Sequence, residues 1–199
     1  LKGLSLAFVA TTLLAASVAF DGIPNPIRIA TEGVYPPFNY VQDGELTGFD
    51  VDIANALCEQ MKGTCTIVTQ DWDGMIPGLL ADKYDAIIAS MNITAERKEK
   101  IDFTKKYYNT PAKFMALVGN GITDISPAAL VGKSIGVQGS TTQANFLEAK
   151  YPDSDIRTYT VVDDASADLQ AGRIDLVLSD KVLLDAWIKS SGAGCCELV

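Results

Sequence analysis

The sequence predicts an α/β protein built as two similar lobes that face one another across a cleft. Three observations predict it. Short apolar runs alternate with helical patterns in a β-α-β-α-β order, which implies a largely parallel sheet with helices on its faces. A break near Tyr107 to Lys113, containing Asn109 and Pro111, is followed by a second set of the same kind. Two segments also echo one another, LLADKYDAIIAS in the first half and LQAGRIDLVLSD in the second. Each reads as a helix end, a tight turn, an aspartate and a buried strand that closes on polar residues. The 199 residues suffice for two small lobes, and 48% hydrophobic content supports a packed core.

The elements follow in order. Residues 1–19, LKGLSLAFVATTLLAASVA, open with a positive Lys2, continue through an apolar stretch and end in the small-x-small run Ser17-Val18-Ala19. This is the pattern of a cleavable signal peptide, and it is short against the roughly 20 apolar residues of a membrane span. An exported, soluble mature chain is therefore expected. Ile27 to Ala30 reads as the first strand. Phe49, Ile53, Leu57 and Met61 recur every four residues and predict one face of a helix. Thr66 to Val68 is the second strand, Asp73 is placed to cap a helix running to about Asp82, and Ala86 to Ala89 is the third strand. Thr94 caps a charged helix, AERKEK.

Beyond the break, Phe114 to Val118 and Ile135 to Val137 read as strands, and a helix runs from Ser140–Thr142 to Lys150. Thr158 to Val162 is extended. Asp163 or Asp164 is expected to cap a helix that Gly172 ends, and Ile174 to Leu178 leads as a strand into a helix over Asp180 to Lys189. The expected organisation is a signal peptide over 1–19, a first lobe over 20–110 and a second over 111–199. Ligands in open parallel sheets bind beyond the carboxyl ends of strands. Ser90 and Asp180 stand at those matching ends, so two lobes facing each other there enclose a cleft.

The charge and the missing residue types narrow the chemistry. Acids outnumber bases 25 to 16, for a formal charge of -9, which repels phosphate backbones and disfavours nucleic-acid binding. There is no histidine, which removes the commonest general base and metal ligand. No cofactor is expected. Four cysteines fit an oxidising compartment. Cys58 and Cys65 are spaced for a helix-to-strand staple, and the pairing of the adjacent Cys195 and Cys196 is open. A zinc site is the rival reading, but two spaced and two adjacent cysteines do not match the usual ligand spacings.

Five stretches carry binding chemistry. In IRIATEGVYPPF, Glu32 and Tyr35 follow the first strand in a proline-stiffened loop that can hold an aromatic ring; a surface turn with a packed tyrosine is the plainer reading. Trp72, between Asp71 and Asp73, reads as a partly exposed ring that could form, with Tyr35, two walls around a side-chain stem. Ala89, Ser90 and Asn92 end a buried strand, and the latter two offer short hydrogen-bonding groups. Arg97 lies in the first turn of a helix, where a base opposes the helix dipole unless it grips an anion; the alternative is a solvated pair with Glu96 or Glu99. In GVQGSTTQ, Thr141 and Thr142 open a helix whose free amides attract a carboxylate. Gly132-Lys133-Ser134 resembles a phosphate loop only superficially, because it leads into a strand and Pro127 replaces the earlier glycine. Asp180 could pair with an ammonium group, cap a helix, or do both. Together Arg97 and the Thr141/Thr142 amides suit a carboxylate, Asp180 and Ser90 an α-ammonium, Tyr35 and Trp72 a stem, and Glu32 a cationic tip.

With these residues the chain resembles the periplasmic polar amino-acid-binding proteins of ABC transporters, close to the lysine/arginine/ornithine- and histidine-binding proteins of solute-binding protein family 3. The strings that carry the resemblance are TEGVYPPFNY, LTGFDVDIANALC, DWDGMIPGLLADKYDAIIASMNIT, the Glu96-Arg97 pair, GVQGSTTQ and AGRIDLVLSD. It implies a type II periplasmic-binding fold that closes on its ligand by hinge motion. It also implies carboxylate binding by Arg97 with help from Thr142 and Ser90, α-ammonium binding by Asp180, aromatic walls from Tyr35 and Trp72, and an acid for basic side chains at Glu32. Cys58 and Cys65 match a family disulfide. Ala89 and Asn92 stand where serine is frequent, so the hydrogen-bond count there departs from the pattern. The family continues past the equivalent of Val199 through a second hinge strand that completes lobe one, so that return segment is expected to be absent from this sequence. The implied function is capture of a basic amino acid by a monomer in the periplasm for an ABC permease in the inner membrane, without catalysis. The alternatives are a cyclohexadienyl dehydratase-like enzyme on the same fold and the ligand-binding input domain of a sensor receptor.

Overall fold

The first strand of the described residues is set by Ile27 and Ile29, which bury side chains on one of its faces, and by Ala30, which is buried on the other. The structure, a computed structural model, describes residues 25–199. The leader expected over 1–19 lies outside the described residues. Strand β1 (Ile27–Thr31) is central in a parallel three-stranded sheet. Its neighbours are β5 (Cys65–Thr69) and β6 (Ala86–Ile87), and along the chain between β1 and β5 come three short strands, β2 (Val34–Tyr35), β3 (Asn39–Gln42) and β4 (Glu45–Thr47), which form an antiparallel sheet of their own. Sequence reading had no place for that small sheet, whose strands are too short to show an alternating pattern. Ile27 and Ile29 pack with Ala54 and Cys58 of helix α1 (Phe49–Met61), while Ala30 packs on the other face with Met75 of α2 (Met75–Leu80) and with Tyr84.

Helix α1 forms where expected but turns a different face inward. The buried apolar positions are Val51, Ala54 and Cys58, spaced three and four apart, whereas Phe49, Leu57 and Met61 are 41%, 48% and 49% exposed. A strict four-residue repeat drifts around a helix of 3.6 residues per turn, so it does not mark a stable inward face. The helix is stapled to β5 by a disulfide between Cys58 and Cys65. Asp73 does not cap α2; it lies inside a 3-10 turn (Trp72–Gly74), and Gly74 is the residue before the helix. Thr94 does cap, its hydroxyl accepting from the Arg97 amide at 3.1 Å, but helix α3 (Ala95–Lys98) is a single turn rather than the full charged run.

Residues 99–111 carry the chain out of the first sheet into the second. That sheet has the order β11-β7-β10-β8-β9, formed by β7 (Ala112–Leu117), β8 (Ser134–Gln138), β9 (Asp155–Tyr159), β10 (Leu176–Asp180) and β11 (Cys196–Leu198). It is mixed: β8 runs parallel to β9 and β10, while β7 is antiparallel to both β10 and β11. Its two faces are separated by the two-residue period of a strand. Phe114, Ala116, Leu176 and Leu178 face Ala144 and Leu147 of α4 (Thr142–Lys150); Met115 and Val177 face α5 (Val162–Gln170) and α6 (Lys181–Ser190). Burial on both faces explains why these strands read as continuous apolar runs. Thr141 is the N-cap of α4, accepting from the Ala144 amide at 3.1 Å. The α5 cap is Val161 rather than Asp163 or Asp164, both of which sit in its first turn, where carboxylates favour the dipole. Cys195 and Cys196 are joined to each other at the start of β11.

The internal echo has a structural counterpart. Asp85 receives the Arg28 amide at 2.8 Å while its own amide donates to the Arg28 carbonyl, and Asp175 exchanges the same pair of bonds with Ser134. Each aspartate ties the turn before β6 or β10 to the start of the neighbouring strand, β1 or β8. The carboxyl ends of those strands are thereby aimed at the same gap between the two lobes.

Candidate ligand-binding site

Most residues of the cleft lie where a strand gives way to a loop or helix. Glu32 follows β1, Ala89, Ser90 and Asn92 follow β6, Trp72 opens the turn after β5, Thr141 and Thr142 begin α4 after β8, and Asp180 ends β10. With Tyr35 and Arg97, these ten line one cleft of about 320 Å³, open solvent at its mouth included. Arg97 and Asp180, from different lobes, therefore share a cavity. Two further residues line it that sequence reading did not single out, Gln138 and Gln143.

Arg97 is held rather than paired. Its Nη1 donates to the Asn92 carbonyl at 2.8 Å and its Nη2 to the Ser140 carbonyl of the other lobe at 3.1 Å. Its guanidinium lies 5.3 Å from the centroid of the Trp72 ring, within cation–π range. Among the described residues it makes no salt bridge; the pairs with Glu96 or Glu99 that would have made it an ordinary surface base are absent, and Glu96 instead faces Lys100. Burial lowers its pKa from the usual arginine value, with Glu96 opposing. An unpaired, half-buried guanidinium in a cleft is a site for an anion.

The opposite charge comes from Asp180, which is 6% exposed. It stands at the N-cap position of α6, but its side chain does not cap. Instead its carboxylate accepts from Tyr35 Oη at 2.9 Å, across the lobes, and from Gln143 Nε2 at 2.9 Å. Burial raises its pKa, and the two hydrogen bonds oppose that rise. The Tyr35 hydroxyl is pushed well above the usual phenol range, chiefly by burial and then by the Asp180 charge. No cation lies within salt-bridge distance of Asp180 among the described residues, so its charge is available to a ligand.

Ser90 is polarised by a buried network. Asp50, fully buried, accepts from Ser90 Oγ at 2.7 Å, from Tyr107 Oη at 2.7 Å and from Asn39 Nδ2 at 2.8 Å. Because the Ser90 hydroxyl gives its proton to Asp50, the face it turns to the cleft can only accept. Ser90 holds this place with a left-handed backbone, φ 54°. The two threonines divide their work. Thr141 is consumed by the α4 cap and by donation to the Gln138 carbonyl at 2.7 Å, whereas Thr142 accepts from Asn92 Nδ2 of the other lobe at 2.9 Å and donates to Gln143 Oε1.

At the far end of the chemistry sits Glu32, only 8% exposed. Its Oε1 accepts from Gln138 Nε2 at 2.6 Å, another bond between lobes. Burial raises its pKa to about 7; the Gln138 amide works against this, and the charges of Asp71 and Asp73 add to it. Trp72 Nε1 donates to the Ser140 carbonyl at 3.1 Å, so the partly exposed ring is fixed from both lobes. Gln138 and Gln143 were legible in part: both lie in the GVQGSTTQ stretch, and a glutamine closing a wholly buried strand has the same logic as Ser90 and Asp180. Asp50, hidden in an amphipathic helix pattern, offered no such signal.

Comparison with known proteins agrees with this geometry. Residues 27–165 match the family model for bacterial extracellular solute-binding proteins, family 3. The chain is 43% identical to the L-arginine-binding protein of Pseudomonas aeruginosa, over 93% of this chain and 72% of that protein. It is 40% identical to the octopine-binding periplasmic protein of Rhizobium meliloti, over 80% of this chain and 63% of that protein. Among solved structures, an ancestral arginine-binding protein bound to arginine superposes with a TM-score of 0.84 at 30% identity, covering 89% of this chain and 79% of its own. The polar, two-lobed cleft, the family match across most of the described residues and relatives at 43% and 40% identity lead to one assignment: the chain belongs to the bacterial extracellular solute-binding proteins, family 3.

Proposed function

We propose that the protein captures a basic amino acid of the arginine type in the periplasm, closes around it without changing it chemically, and presents it to an ABC permease in the inner membrane. One observation carries this reading: an unpaired guanidinium, an unpaired carboxylate and a second buried acid line the same cleft. Arg97 neutralises the ligand carboxylate, with the cleft-facing Thr142 beside it. Asp180 and the acceptor face of Ser90 take the α-ammonium. Tyr35 and Trp72 flank the aliphatic stem, Ala89 leaves room beside it, and Glu32 meets the cationic tip. A zwitterion with a positive side chain matches this set, whereas a neutral side chain leaves Glu32 buried against nothing of opposite charge. The protein acts as a monomer and needs no cofactor.

Calorimetric titration with arginine, lysine, ornithine and glutamine tests the reading. The Glu32→Gln protein should bind basic ligands more weakly by about 2–5 kcal/mol, the usual cost of truncating one partner of a buried charged contact, with a much smaller change for glutamine. Equal affinity of wild type and variant for arginine refutes the assignment of Glu32. Incubation with prephenate or arogenate checks the non-enzymatic part: product formation would make Glu32, with its raised pKa, a proton donor rather than a recognition group.

A further inference from the structure

Gln138 does more than fill the end of a strand. It is 4% exposed, stands in the second lobe at the end of β8, and reaches across the cleft to Glu32 of the first. Its side-chain amide donates twice, to Glu32 Oε1 at 2.6 Å and to the Thr160 carbonyl at 2.9 Å. A backbone carbonyl only accepts, so the Thr160 bond decides which end of the amide carries nitrogen. The Gln138 Oε1 is consequently turned away from both partners, and it receives no donor among the described residues while its side chain lines the cleft.

We infer that Gln138 is a specificity-determining residue: its nitrogen clamps the Glu32 carboxyl in place across the lobes, and its free oxygen is a second acceptor for a forked cation. This rests on the proposal that Glu32 meets the ligand's positive tip. A guanidinium presents five donors in a fixed plane and can engage the Glu32 carboxylate and the Gln138 oxygen together. An ammonium is a point charge that Glu32 satisfies alone. The site therefore prefers arginine to lysine, and the preference resides in β8 of the second lobe rather than in the acid. The clamp has a second consequence. By donating to the carboxyl, Gln138 favours its ionised form, against burial and against Asp71 and Asp73 on the neighbouring turn. The other charged groups lining the cleft are Arg97 and Asp180.

The experiment compares wild type, Gln138→Met and Gln138→Asn by calorimetry with arginine, lysine and glutamine between pH 5.5 and 8.5, with Glu32→Gln alongside. Methionine keeps the length without the amide; asparagine keeps the amide but is too short to reach, so either variant suffices if the other fails to fold. Both should lose arginine affinity by roughly 10- to 100-fold, as expected for a hydrogen bond to a charged group, and lysine affinity by markedly less. The pH below which arginine binding weakens should rise in both, because Glu32 loses the donor that stabilises its charge. A merely structural role for Gln138 would lower all ligands alike and leave that pH unchanged, which would overturn the inference. Should Gln138→Met and Gln138→Asn bind arginine as wild type does while Glu32→Gln does not, the role of Glu32 survives and that of Gln138 falls. Unchanged arginine binding by Glu32→Gln would remove both.

Discussion

Glu32 answers to two opposing demands, and they fix how it responds to pH. The Glu32 carboxyl is buried and its pKa is raised to about 7, against a reference near 4.5. The folded state therefore holds this proton more tightly than the unfolded chain does. Stability from Glu32 is greatest below the unfolded value and is lost as pH rises through the window from about 4.5 to 7. On the proposed role of Glu32, a cationic ligand needs the ionised form, and its affinity should rise across the upper part of the same window. Denaturant unfolding of the empty protein at pH 5 and pH 7.5 should show wild type losing stability between the two relative to Glu32→Gln, by at most about 3 kcal/mol at 1.36 kcal/mol per unit. Parallel pH dependence in the two proteins would contradict the burial argument. At this scale much of the cleft was readable in advance. Arg97 was visible because a base opposed a helix dipole, and Asp180 and Ser90 because polar residues ended buried strands. Gln138 and Gln143 were harder to see because a neutral amide breaks no rule of charge placement. Asp50 was invisible because an acid near a helix start is ordinary, and only the fold shows that it is fully buried under three donors.

Elements placed these residues, and their boundaries were legible where a strand and helix alternate over a long enough window. The order from β1 through α2 to β6, and from β8 through α5 to β10, follows from apolar runs punctuated by glycine and aspartate. Of the antiparallel strands only β7 was legible; β2, β3, β4 and β11 are two to four residues long, too short for a period to show. Helix α1 was found but misfaced, because four evenly spaced large side chains outweighed the smaller Val51, Ala54 and Cys58 that actually pack. What fixes the orientation of α1 is the turn before it. Gly48 has φ +116°, and a Cβ there would lie 2.4 Å from the Phe38 carbonyl oxygen and 2.6 Å from its carbon. That same carbonyl accepts from the Asp50 amide at 2.7 Å, so the close approach also seats the hub that polarises Ser90. Gly48→Ala is expected to destabilise the protein by about 1–3 kcal/mol through backbone strain and displacement of this loop. Thermal unfolding should show the midpoint falling by roughly 2–4 °C per kcal/mol for a chain of this size. An unchanged midpoint would mean that the loop relaxes freely and does not govern the position of Asp50.

Polar bonds join the two lobes of the molecule, beside the packing of Tyr35 on the core of the second lobe. Tyr35 to Asp180, Gln138 to Glu32, Trp72 and Arg97 to the Ser140 carbonyl, and Asn92 to Thr142 all join the two lobes, while the chain passes from one sheet to the other through residues 99–111. Such bonds exchange readily with water and are worth about 0.5–1.5 kcal/mol each, or more where a charge takes part. They are well suited to a joint that must open, because their loss is largely repaid by solvation. They leave, in the closed form, Arg97 on one lobe and Asp180 on the other without a partner of opposite charge. A zwitterion bridging the two shifts the balance toward closure by its difference in affinity for the closed and open forms, and by no more than that. The expected outcome is coupled: arginine at 100 times its Kd should stabilise the protein by about 2.7 kcal/mol and also reduce the radius of gyration measured by small-angle scattering. On the proposed role of Asp180, Asp180→Asn should lose most of the compaction, since the ammonium then has no charge to meet on the second lobe. Stabilisation without compaction would place the ligand on one lobe alone, and the cleft would then be a binding surface without a hinge behind it.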